Sequence, residues 1–144
     1  MRLAIILLAG ALLCGCSMHQ DHALAQRAVS RFHQQLNRDQ FARICDEASD
    51  DLSTPVKRDD ILHLLQAVRA HLGQLDSTQQ INWTVNYGLH DRLVTLVYRS
   101  QFDAGAATEQ FVYRIRDDAA RLVSYTIHSR LLALGNRASP AYEI

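Results

Sequence analysis

The sequence predicts an α+β domain in which three helices are followed by a four-stranded antiparallel meander. Up to Gly73 the apolar residues recur every three or four positions, as along one side of a helix. After Gly73 they recur every second position, as along one face of a strand. The connections between these alternating segments are far shorter than the dozen or so residues a parallel return needs, so neighbouring strands must run antiparallel.

Leu24, Ala28, Phe32 and Leu36 recur every fourth residue with Ala25 and Val29 beside them, and this stripe defines a first helix over about 21–37. Phe41, Ile44, Cys45 and Ala48 have the spacing of a short second helix, with Asp39 as its expected N-cap. Thr54-Pro55 supplies a cap and then a proline at the first helical position. Ile61, Leu64, Leu65, Val68 and Leu72 continue this third helix over about 55–72, until Gly73.

The first strand follows from Ile81, Trp83, Val85 and Tyr87 alternating with Asn82, Thr84 and Asn86, and it ends at Gly88. A second covers about 92–102, with Val94, Leu96, Tyr98 and Phe102 on one face and Leu93, Val97 and Arg99 on the other. Asp103-Ala104-Gly105 turns it. The third covers about 107–116, where Glu109, Phe111, Tyr113 and Ile115 share a face, and Asp117-Asp118 breaks it. The fourth covers about 121–130, with Val123, Tyr125 and Ile127 together. The domain is expected to occupy 21–134, and 135–144, with Gly, Asn, Ser and Pro, to form a flexible C-terminal tail.

The N-terminus has a different logic. Met1 and Arg2 precede an apolar run from Leu3 to Leu13, too short to cross a hydrocarbon core of about 30 Å but suited to a signal peptide. Leu13-Cys14-Gly15-Cys16 then resembles the bacterial lipobox, with Leu three places before the modified cysteine and a small residue directly before it. The resemblance implies a signal peptide over 1–15, cleavage between Gly15 and Cys16, lipid on Cys16 and a short tether over 16–20. In the Gram-negative lipoproteins it resembles, an Asp after the cysteine favours the inner membrane. Ser17 therefore implies an outer-membrane lipoprotein facing the periplasm.

The 144 residues carry 15 Lys and Arg against 15 Asp and Glu, so no net field draws nucleic acid to the chain, and no nucleic-acid partner is expected. Removal of 1–15 takes away one basic residue, Arg2, and leaves that balance nearly unchanged. A mature domain of this size buries enough surface to fold without disulfides or a structural metal. With Cys14 removed and Cys16 lipidated, Cys45 is the remaining thiol, placed on the apolar stripe of the second helix as a packing residue.

The helix-rich first half closed by Leu72-Gly73, the Trp83 strand, and Glu109-Gln110-Phe111-Val112-Tyr113 followed by Leu122-Val123-Ser124-Tyr125-Thr126-Ile127 together resemble the NTF2-like, or cystatin-like, superfamily. The resemblance is in particular to its small bacterial lipoproteins of unknown function, and it covers about residues 21–130. It implies a cone, with helices packed on a curved sheet around a pocket. That pocket is an active site in some members and a binding cavity or dimer face in others.

Enzymes of that superfamily use Asp and Tyr in an apolar cavity, where burial raises carboxyl pKa values toward neutrality. Candidate pocket or interface residues here are Trp83, Tyr87, Tyr98, Arg99, Glu109, Tyr113, Tyr125 and His128, and none completes a catalytic motif of the family. Glu109 is the most informative. A carboxylate on an apolar strand face needs a partner or stays neutral, and it is read either as a structural pair with Arg99 or another base, or as a general base. No metal or cofactor is expected. His19 and His22 lie near the N-terminus, and His63 and His71 are separated by about 12 Å of helix rise. Gly-rich phosphate loops and Gly-x-Ser-x-Gly elbows do not occur in the sequence.

The expected function is a non-catalytic binding or protein-interaction module held to the membrane by its N-terminal lipid. Its partner would be a protein, a small apolar ligand, or a second copy meeting it through the sheet face. An immunity or inhibitor protein against an envelope-targeted toxin is a narrower form of this reading. An NTF2-like enzyme with a carboxylate/Tyr pocket is the alternative.

Overall fold

A computed structural model describes residues 2–50, 55–89 and 91–135. Its elements are α1 (Arg2–Asn37), α2 (Phe41–Asp46), α3 (Pro55–Leu72), β1 (Leu75–Tyr87), β2 (Arg92–Phe102), β3 (Gly105–Arg116), β4 (Ala119–His128) and α4 (Arg130–Gly135). The fold is α+β, with one open four-stranded antiparallel sheet in the order β1-β2-β3-β4. A fourth helix after the sheet adds to the three that the periodicity predicts. The Thr54 cap and the tail beyond Gly135 lie outside the described residues.

α1 is far longer than the predicted 21–37. It begins at Arg2, so the tether expected over 16–20 is helical. The helix touches every strand and covers one face of the sheet. It runs antiparallel to β1: His22 and Gln26 reach Gln80, while the Asn37 side chain both donates to and accepts from the Leu75 backbone.

Asp39 is not the cap of α2. It takes a left-handed φ of 57° and its carboxylate accepts from Arg69 on α3, while Gln40 fills the cap position without a side-chain bond. At the far end of α3, Gly73 has φ 79°, and the β2–β3 turn closes over it. Ala104 N–H donates to the Leu72 carbonyl and the Asp103 carboxylate accepts from Gln74 N–H. A Cβ on Gly73 would stand 2.6 Å from the Asp103 carboxylate, so only glycine fits the position.

β2 and β3 keep the predicted alternation, with Val94, Leu96, Tyr98 and Phe102 buried beside Glu109, Phe111, Tyr113 and Ile115. The edge strands do not, because each contains a register shift. Between Gln80 and Asn82 the extra residue Ile81 breaks the β1–β2 ladder, leaving Ile81 46% exposed although the pattern places it inside. Another shift, against Val112 and Tyr113, makes Val123 the extra residue of β4 and turns Leu122 inward with Tyr125 and Ile127.

The core joins Phe32 and Leu36 of α1, Leu64, Leu65 and Val68 of α3, and the inner faces of the strands. Cys45 is buried within it, and burial pushes its thiol pKa up against the pull of Arg58. Native protein is therefore expected to alkylate slowly at this position. Cys45→Ala should lower stability by about 1 kcal/mol or somewhat more through the cavity left behind. Rapid alkylation of the folded protein, followed by mass spectrometry, would remove Cys45 from the core.

Candidate functional site

Glu109 lies at the centre of β3, and its inward direction follows from period-two alternation with Phe111, Tyr113 and Ile115. The residue is fully buried. His33 Nε2 lies 2.9 Å from Oε2, Ser100 Oγ donates to the same oxygen, and the Tyr125 hydroxyl donates to Oε1 at 2.7 Å. These three partners come from α1, β2 and β4, so one side chain ties the helix to three adjacent strands.

Burial by itself raises the Glu109 pKa. It is outweighed by the hydrogen bond and charge of His33 and by the two hydroxyls, and the carboxyl sits below its ordinary value of 4.5. Glu109 is thus an ionised group whose two oxygens are both occupied. Burial, reinforced by Glu109, raises the Tyr125 hydroxyl well above its usual range and also raises Tyr98. Burial likewise raises Tyr113.

An aromatic shell encloses this group. The Phe111 ring packs on Phe32, His33, Tyr98, Tyr113 and Tyr125, with centroids between 5.0 and 6.3 Å. Tyr113 lines a crevice of only about 20 Å³ against α1, α2 and β4. On the other side, His33 and Tyr98 form part of an open groove of about 330 Å³ between α1 and β1, bordered by Gln26, Ser30, Asp76 and Thr78. Glu109 itself lines neither space.

The predicted site residues therefore divide. Tyr98, Glu109, Tyr113 and Tyr125 gather in the interior. Trp83 is half-buried at the helix edge and stacks on His22, with centroids 4.2 Å apart. Tyr87 is 54% exposed near the end of the β1–β2 hairpin, and His128 is exposed. Arg99 is exposed on the outer sheet face and does not pair with Glu109, because it neighbours Tyr98 in a strand where successive side chains point to opposite faces. Gly15 and Cys16 fall within α1.

The partners absent from the sequence reading were His33 and Ser100. Both carried a signal. His33 stands four residues after Val29 and one after Phe32, on the apolar stripe of α1, and Ser100 lies between Tyr98 and Phe102 on the inner face of β2. Among the described residues no group of three or more His, Cys, Asp or Glu side chains comes together as a metal site. Among the same residues no helix is long and apolar enough to cross a membrane. No model of a known protein family matches the sequence, and no curated protein matches it.

Proposed function

We propose that this chain is a bacterial envelope lipoprotein, cut before Cys16 and lipidated there, whose α+β domain is a non-catalytic binding or protein-interaction module of NTF2-like design. The observation that supports a non-catalytic role is the state of Glu109. A general base needs a free lone pair within reach of substrate and a pKa near the working pH. Glu109 already accepts from three partners, lines neither the groove nor the crevice, and is held below the ordinary carboxylate range.

Partner binding falls to the surfaces left open: the groove between α1 and β1, and the outer sheet face, where half-buried Val97 and Val112 lie among Thr, Gln and Asn side chains. A protein partner, an immunity target and a second copy of the chain are all compatible with these surfaces. The enzyme alternative draws on one observation. His33, held by Glu109, also borders the groove, an arrangement in which a carboxylate orients an imidazole toward a ligand.

The tether rests on Leu13-Cys14-Gly15-Cys16, and Ser17 supports the outer membrane over the inner. Two or more acyl chains anchor stably where one does not, since each buried methylene contributes about 0.8 kcal/mol. Cys16→Ala is expected to abolish incorporation of labelled fatty acid and to move the protein out of the membrane fraction. A Cys16→Ala protein that still carries lipid and sediments with membranes would overturn the tether.

A further inference from the structure

Three of the large apolar side chains exposed on this protein lie at one end of it. Leu89 is 98% exposed, Tyr87 54% and Met18 40%. Leu89 and Tyr87 belong to the β1–β2 hairpin, and Met18 to α1, two residues beyond Cys16.

Their grouping follows from how α1 lies on the sheet. The helix runs antiparallel to β1, with His22 stacked on Trp83 and Asp21 paired to Arg92 at 3.2 Å. Moving back along α1 and forward along β1 therefore leads in one direction. Helix rise carries the Cys16 backbone about 9 Å beyond His22, and the rest of β1 with its turn carries Leu89 on the order of 15 Å beyond Trp83. Because α1 is continuous through Cys16, no loose linker lets the domain drift from its attachment point.

We infer that the β1–β2 hairpin, through Tyr87 and Leu89 and with Met18 beside it, forms a second contact with the bilayer that holds the Cys16 lipid. This rests on the tether proposed above and adds to it a fixed orientation of the domain. Leucine favours the acyl region, and a tyrosine with an apolar ring and a polar tip suits the headgroup boundary.

The charges behind the tip are largely satisfied among themselves. Asp91 pairs with Arg114 at 3.1 Å and Arg116 at 2.6 Å, and Asp21 with Arg92. Asp117 and Asp118 stand in the β3–β4 turn, about 10 Å across the sheet at two strand spacings. The contact is therefore apolar and insensitive to salt, and the opposite hairpin around Ala104 points away from the membrane.

The test uses the full chain, matured and lipidated in cells, in vesicles of phosphatidylethanolamine and phosphatidylglycerol containing nitroxide-labelled lipid. A fluorophore is placed on Leu89→Cys or, in a separate protein, on Ala104→Cys, both exposed positions, while the native Cys45 is buried. The expected result is several-fold stronger quenching at position 89 than at 104, unchanged by added salt. A lipidated, vesicle-bound protein with equal quenching at the two positions overturns the hairpin contact and leaves the tether standing. A chain that carries no lipid and stays off the vesicles overturns the tether and the hairpin contact together.

Discussion

Glu109→Gln is expected to lower stability by about 3 kcal/mol, because it neutralises a buried carboxylate and disturbs three charge-assisted hydrogen bonds at once. The amide keeps the shape of the side chain but places two N–H donors where the carboxylate only accepts. One of its ends must then face groups that now donate: Ser100 and His33 at Oε2, or Tyr125 at Oε1. A hydroxyl can rotate and an imidazole can change tautomer, so part of the loss is recovered. The carboxylate charge that strengthens all three hydrogen bonds is not.

The pH dependence has a definite sign. Because the folded carboxyl has a pKa below 4.5, the native state holds fewer protons on Glu109 than the unfolded chain does. Its stabilising contribution is therefore fully present above about pH 4.5 and is lost as pH falls through the lower folded value. Chemical denaturation followed from neutral to acid pH should show a decline in the native protein that is shallower in Glu109→Gln. Partner binding should survive the substitution wherever the protein remains folded. A variant as stable as the native protein at every pH would remove Glu109 from its structural role.

Phe111→Ala should have an effect at least as large, about 3–5 kcal/mol. Phe111 is completely buried and its ring touches five other rings, including those of His33 and Tyr125, which hold Glu109. The substitution leaves a cavity and also loosens the shell that excludes water from the carboxylate, so the Glu109 contribution should weaken with it. Phe111→Leu fills most of that volume and should cost less than half as much. Equal losses for the two variants in thermal unfolding would mean that ring packing at this position carries no special weight.

Much of this arrangement was legible in the sequence because it rests on simple periods. Alternation along β2 and β3 places Tyr98, Glu109, Phe111 and Tyr113 inside, and helical spacing identifies the buried stripes of α1 and α3. The failures are local. Ile81 and Val123 are extra residues at register shifts, and one such residue reverses the parity of everything beyond it, which no alternation rule anticipates. Asp39 was assigned as a cap by residue type, yet its carboxylate is drawn to Arg69 on another helix.

The partner of Glu109 was hidden for a different reason. Arg99 is close in the sheet and has the right charge, but the pleat turns it outward. His33 is 76 residues away in sequence and becomes the partner only when α1 lies across the sheet. Its place on an apolar stripe suggested burial, and nothing local indicated which strand it would meet. The open groove between α1 and β1 depends on the same packing and was equally invisible.

Direct titration of the Glu109 carboxyl in the folded protein tests the account at its centre. With glutamate labelled at the carboxyl carbon, and Glu109→Gln used to assign its signal, the carbon chemical shift reports ionisation as pH is lowered. The structure predicts a carboxylate that stays ionised through neutrality and protonates only below 4.5. A midpoint near neutrality would contradict it, since that is the value a general acid or base needs and a satisfied structural carboxylate does not have.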